Sequence, residues 1–125
     1  MPLPVLICDD SSFARKQMKR ALPDNWDIEV TFAGNGLEGI DAIRQGKGEV
    51  VFLDLTMPEM DGYGVLELIR KEDLPAMVIV VSGDIQPDAQ ARVKQLGAMA
   101  FVKKPIDKTK ATQILTEFGI LSATE

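Results

Sequence analysis

The chain has 125 residues, 46% of them apolar, which fits one domain built around its own core. Its formal charge of −5 and sequence pI near 4.7 leave no basic stripe of the kind that nucleic acid or an anionic membrane would require, so neither is expected as a direct partner. Histidine is absent and cysteine occurs once, which excludes an internal disulfide, histidine acid–base chemistry and most zinc sites.

The predicted elements alternate strand and helix along the chain. The first strand is Pro4 to Cys8, with Cys8 read as a buried, inert thiol. A helix follows from near Ser11 to just before Pro23, its apolar side carrying Ala14, Met18, Ala21 and Leu22. The second strand is Ile28 to Ala33, and the helix from about Gly36 repeats Leu37, Ile40 and Ile43. Val50 to Leu53 forms the third strand, followed by a helix from about Gly62 with Val65, Leu66 and Ile69. The fourth strand is Met77 to Val81. Its helix opens after Asp84, holds Pro87 in the first turn, shows Ala89, Val93 and Leu96, and ends at Gly97. Ala100 to Val102 is the fifth strand, and the last helix is capped by Asp107 and carries Ile114, Leu115 and Phe118. The third and fourth strands are almost purely apolar, as strands are when helices cover both faces, so the sheet is expected to be parallel. The apolar runs are strand-sized and no charged-then-apolar leader opens the chain, which points to the cytoplasm. Ser122 to Glu125 read as a tail or the start of a linker after a domain spanning 1–121.

Ligands of such sheets bind beyond the carboxyl ends of the strands. There the sequence delivers Asp9 and Asp10 after the first strand, Asp54 after the third, Ser82 after the fourth, and Lys103, Lys104 and Pro105 after the fifth. Each could be an ordinary polar residue where a strand meets solvent, but together they converge on one edge. Two carboxylates ~4 Å apart repel by roughly 4 kcal/mol at an effective dielectric of 20, so three of them call for a cation. With oxygen ligands and no histidine, Mg²⁺ is favoured over zinc.

The row Asp9-Asp10, Asp54, Ser82 and Lys104-Pro105, with the segment Met57-Pro58-Glu59-Met60-Asp61-Gly62, resembles the receiver domain of two-component response regulators, the CheY-like family, from about Pro4 to Leu121. The resemblance implies an α/β fold: a doubly wound five-stranded parallel sheet in the order 2-1-3-4-5. It implies that Asp54 accepts a phosphoryl group from a histidine kinase, which supplies the histidine this chain lacks. Asp10, Asp54 and the backbone carbonyl of Thr56 would hold Mg²⁺, with Asp9 acting partly through water. Lys104 would pair with one phosphoryl oxygen and Ser82 would donate its hydroxyl to another. Lys103 is the rival of Lys104, which is preferred because the family lysine directly precedes proline in a cis peptide bond. Phe101 stands at the family's aromatic switch position, though it can equally be a plain core residue. Thr56 and Asp84 stand where the lifetime of the phosphorylated state is tuned, and Asp84 can instead be only the cap of the fourth helix. Thr56 replaces the asparagine of CheY and Gly83 a common alanine, so that lifetime stays open. The resemblance makes the chain a phosphoacceptor rather than a turnover enzyme. Its partner surface, for a target protein or a fused output domain, is the face of the fourth helix, fifth strand and fifth helix. The wording Val80 to Pro87 resembles receivers joined to a CheC-type chemotaxis phosphatase domain.

Two other readings compete. Gly34-Asn35-Gly36-Leu37-Glu38-Gly39 spells the dinucleotide fingerprint between a strand and a helix, with an acid downstream. It sits on the second strand, however, and leaves Asp9, Asp10, Ser82 and Lys104 without a role. A pseudo-receiver that binds partners without being phosphorylated is the other alternative.

Overall fold

The computed structural model describes residues 2–83 and 86–121. Ten elements alternate: β1 (Leu3–Cys8), α1 (Ser12–Ala21), β2 (Ile28–Ala33), α2 (Gly36–Arg44), β3 (Val50–Leu53), α3 (Gly62–Lys71), β4 (Met77–Ser82), α4 (Pro87–Gln95), β5 (Ala100–Lys103) and α5 (Lys108–Glu117). The five strands form one sheet in the order β2-β1-β3-β4-β5, and every neighbouring pair is parallel. This is the doubly wound α/β architecture expected from the sequence. β4 and β5 each run one residue beyond their apolar pattern, because Ser82 and Lys103 extend the ladder as register partners.

Side-chain alternation along each strand divides the interior into two layers. Val5, Ile7, Phe52, Ile79, Val81 and Val102 meet Met18 and Ala21 of α1, Leu22 at its end, and Ile114 and Leu115 of α5. On the opposite face Leu6, Cys8, Val51, Leu53, Val78 and Val80 meet α2 through Ile40 and Ile43, α3 through Val65 and Leu66, and α4 through Val93. β3 is central, so all four of its residues are buried. Each fully buried Leu, Ile or Val contributes about 1.5–3 kcal/mol, and these two layers are the main offset to chain entropy.

Four helices start at side-chain caps. Ser11 accepts from the Ala14 amide, Asn35 from Glu38, Asp61 from Gly64 and Asp107 from Lys110. α4 starts differently, at Pro87 with Gln86 in the cap position and no side-chain cap. The reading of Asp84 as the cap of this helix falls on a residue outside the described ones, as do Ile85 and 122–125. Three positions read as apolar-facing are open. Leu37 is 48% exposed, because the inward side of α2 is taken by Gly36, Gly39, Ile40 and Ile43. Phe118 is 41% exposed, because it is the cap residue ending α5, where the chain folds back so that Ile120 and Leu121 pack instead. Met77, the first residue of β4, is 37% exposed at the opposite end of the sheet from the carboxyl-end acids. Among the described residues no helix is long and apolar enough to cross a membrane.

Candidate functional site

The parallel ladder carries the candidate residues to one edge. One step past the strand ends the Asp9 amide donates to the Ala33 carbonyl, the Asp54 amide to Cys8 and the Lys104 amide to Ser82, at 3.0, 3.0 and 2.9 Å. Each residue is thereby anchored by a backbone bond to its neighbouring strand. Carboxylate oxygens of Asp9, Asp10 and Asp54 all come within 4.8 Å of one another, with Asp9 and Asp54 buried and Asp10 exposed. Lys104 Nζ reaches between them, 2.6 Å from Asp9 Oδ2 and 3.3 Å from Asp54 Oδ1. The other oxygen of Asp9 accepts from the Ser11 amide at 3.0 Å.

One ammonium faces three carboxylates, and the imbalance falls on Asp54. Burial, followed by the charge of Asp9, raises its carboxyl above the ordinary value, and Lys104 only partly opposes this. Burial works against the Lys104 charge, but the hydrogen bond to Asp9 and the field of Asp54 more than compensate and hold its ammonium above the ordinary lysine range. Cys8, beneath the site, is pushed up to about 12 by burial and by the charges of Asp9 and Asp54, so it is a protonated thiol and a packing group. The donor set consists of hard carboxylate oxygens, the chemistry that suits Mg²⁺.

Residues 5–116 match the family model of the response regulator receiver domain. The chain belongs to this family. Among curated relatives, this receiver is 37% identical over 114 residues to the chemotaxis protein CheY of Listeria monocytogenes, covering 90% of this chain and 95% of that one. It is also 38% identical over 113 residues to a protein-glutamate methylesterase/protein-glutamine glutaminase of Geobacter sulfurreducens, covering 90% of this chain and 30% of the relative. The receiver thus spans about a third of the length of the methylesterases it matches. Among solved structures it resembles CheY in the CheX-CheY-BeF3-Mg²⁺ complex of Borrelia burgdorferi, with a TM-score of 0.85, 30% identity, and coverage of 94% of this chain and 90% of that one.

Within this receiver, Asp9, Asp10, Asp54 and Lys104 form one cluster, and Ser82 is buried at the end of β4 beside it. Lys103 is exposed, while Lys104 is half-buried against the acids; the Lys104–Pro105 bond is cis. Thr56 is exposed on the loop after β3. Phe101 is half-buried, three residues before Lys104, and packs against the α2–α3–α4 layer. The sequence reading missed Arg15, whose Nη1 donates to the Asp9 carbonyl at 2.7 Å and braces the acid pair. Its signal was a cation one helical turn after paired acids at a strand end. The reading also left two glycines without their reason. A Cβ on Gly62 would lie 2.5 Å from the Asp54 carbonyl oxygen, and one on Gly36 would collide with the Met60 backbone. The Gly36 amide donates to Met60 and the Gly62 amide to Leu55, both at 3.0 Å, so the two glycines clamp the ends of the loop that follows Asp54.

The fingerprint-like glycines find their use here too. Gly36 meets Met60, and a Cβ on Gly39 would lie 2.8 Å from Cys8 Sγ. At the start of α2 the Gly36 amide donates to the Met60 carbonyl and the Glu38 amide to the Asn35 side chain, while the Glu38 carboxylate accepts from the Gly34 amide just before the helix. A pyrophosphate would have to displace these bonds, so the pattern is one of packing.

Proposed function

We propose that this receiver takes a phosphoryl group onto Asp54 from the phosphohistidine of a histidine kinase, and that the modification switches its binding to a target protein or a fused output domain. The observation that carries this reading is the meeting of three carboxylates within 4.8 Å with one lysine shared by Asp9 and Asp54. Asp10, Asp54 and the Thr56 carbonyl would hold Mg²⁺, with Asp9 acting through water. The ion, when bound, supplies charge compensation on the phosphoryl oxygens. An Asp54 carboxylate oxygen attacks phosphorus; the P–N bond to the donor imidazole breaks and its electron pair leaves with the nitrogen, giving an acyl phosphate. Lys104 keeps its bond to Asp9 and turns from Asp54 to a phosphoryl oxygen, and the Ser82 hydroxyl donates to another.

Movement of Ser82 toward the phosphoryl group frees space for Phe101 to turn inward, which alters the α4-β5-α5 face. Thr56 and Asp84 set how readily water hydrolyses the acyl phosphate. The chain acts as a phosphoacceptor in the cytoplasm. Similarity to CheY and to the methylesterases supports a chemotaxis setting, and the BeF3 and Mg²⁺ named with the Borrelia CheY support the pairing of anion and cation. Intact-mass measurement after incubation with a small acyl-phosphate donor and Mg²⁺ tests the proposal. One phosphoryl group is expected on the wild type and none on Asp54→Asn or in EDTA. An unmodified wild type would favour an interaction module that works without phosphorylation.

A further inference from the structure

We propose that the groove between α1 and the edge strand β2 docks an acidic segment of a partner protein that carries apolar anchor residues. This goes beyond the phosphoacceptor reading and does not depend on it. β2 is the first strand of the sheet and is paired only with β1. Through its register with Leu3, Val5 and Ile7, its residues Ile28, Val30 and Phe32 share the face on which α1 packs. Unlike Val5 and Ile7, they are not sealed: Ile28 and Val30 are half-buried and Phe32 is 42% exposed. Trp26 extends the row, and with Ile28 and Val30 it lines a groove of about 330 Å³ whose other wall carries Lys19 and Arg20.

Charge identifies the occupant. α1 carries Arg15, Lys16, Lys19 and Arg20 and no acidic residue, in a chain whose net charge is −5. Arg15 and Lys19 also stand 6.0 Å from the Phe32 ring, where they keep cations beside the open aromatic face. The one acid lining the groove, Asp24, is paired with Lys108 at 2.8 Å and leaves the basic wall uncompensated. A polyanionic membrane or nucleic acid would meet the repulsion of the whole acidic domain, and a flat bilayer cannot enter a groove of this size. A short acidic segment avoids both penalties, placing carboxylates on Lys19 and Arg20 and apolar side chains on Trp26 and Val30.

Trp26 is the chain's sole tryptophan, so its emission reports directly on the groove. The full chain is titrated with twelve-residue peptides alternating Glu or Asp with Phe, Leu or Val. The expected result is a saturable change in Trp26 emission that weakens as salt rises. Affinity should fall at least tenfold in the double variant Lys19→Glu/Arg20→Glu and by a smaller factor in Lys19→Gln/Arg20→Gln, with far-UV circular dichroism unchanged in both. A peptide of Glu and Ser alone should bind at least tenfold more weakly. The proposal is overturned by a flat Trp26 response to every peptide, by equal affinity in the charge-reversed variant, or by equal binding of the Glu/Ser peptide. It is likewise overturned if phosphatidylserine vesicles or an oligonucleotide bind more tightly than the peptides, or if the chain self-associates through this groove in a way that charge reversal abolishes.

Discussion

Replacing Asp54 by asparagine should stabilise the metal-free receiver even though it removes the proposed phosphoacceptor. Asp54 lies 3.3 Å from the Lys104 ammonium, an attraction of about 5 kcal/mol at an effective dielectric of 20. It also lies within 4.8 Å of carboxylate oxygens of both Asp9 and Asp10, and each repels it by at least about 3.5 kcal/mol on the same scale. The balance disfavours the Asp54 charge by about 2 kcal/mol, somewhat less once the exposure of Asp10 is allowed for, before any cost of burying the carboxylate. An amide of the same shape keeps an oxygen for Lys104 and loses the repulsion. Thermal unfolding in EDTA at pH 7 should therefore show Asp54→Asn melting higher, by roughly 6–10 °C if the full ~2 kcal/mol is recovered. The sign of the pH dependence follows from the raised carboxyl of Asp54. Between its unfolded and folded titration points the native state holds the proton that the unfolded chain has lost. The wild type therefore loses stability as pH rises through this window, the penalty is absent below the unfolded value near 3.8, and it is complete above the folded one. The gap between variant and wild type should close toward pH 4 and narrow again at pH 7 when Mg²⁺ is added, because the ion stabilises the wild type more. An Asp54→Asn protein that melts below the wild type in EDTA at pH 7 would refute the electrostatic reasoning.

Two further outcomes concern the loop that follows Asp54. Gly36→Ala should lower the urea midpoint by an amount equivalent to about 1–3 kcal/mol, since the added Cβ meets the Met60 carbonyl carbon and Cβ at 2.8 Å and the backbone must yield; an unchanged midpoint would mean that the loop moves without cost. Glu59→Gly should raise the midpoint by an amount equivalent to about 0.5–1 kcal/mol, because Glu59 holds a φ of 68° that a side chain disfavours. A fall in that midpoint would show that the glutamate side chain does more for the loop than its backbone strain removes.

The order of strands and helices could be read from apolar runs because a parallel sheet buried on both faces leaves little else for those runs to be. The placement of the candidate site was legible for the same reason: a polar residue at or one step past the end of a buried strand has only the sheet edge to occupy, and Asp9, Asp54, Ser82 and Lys104 lie there. What stayed hidden depends on tertiary contact. Arg15 and Lys16 are both cations about one helical turn after the paired acids, and only the tertiary contact separates Arg15, which holds the Asp9 carbonyl, from the exposed Lys16. Leu37 and Phe118 match a helical apolar period yet lie outside the packed layers, because periodicity fixes the angle between side chains and not the width of the face that a neighbour covers. Gly36 and Gly39 satisfied a nucleotide-binding pattern for a reason of their own, the close approach of Met60 and Cys8, which no pattern within α2 encodes.

The arrangement of charge connects the core, the site and the groove. Asp9 and Asp54 follow the buried apolar residues 5–8 of β1 and 50–53 of β3, and each is tied by a backbone bond to the neighbouring strand, so the scaffold can tolerate an unfavourable carboxylate at the edge without giving up register. Lys104 neutralises only part of that charge and is nearer Asp9 than Asp54, which leaves the Asp54 carboxylate in surroundings that favour losing its charge. The proposed conversion to an acyl phosphate would remove the carboxylate itself and move the negative charge outward onto phosphoryl oxygens, within reach of Lys104 and a cation. α1, whose cap residue Ser11 and first-turn Arg15 brace Asp9 from one side, carries on its exposed side the cations that define the α1–β2 groove. A segment bound there would touch the same helix that fixes the acid pair, so its binding and the charge state of the site are physically adjacent even though their chemistries are separate.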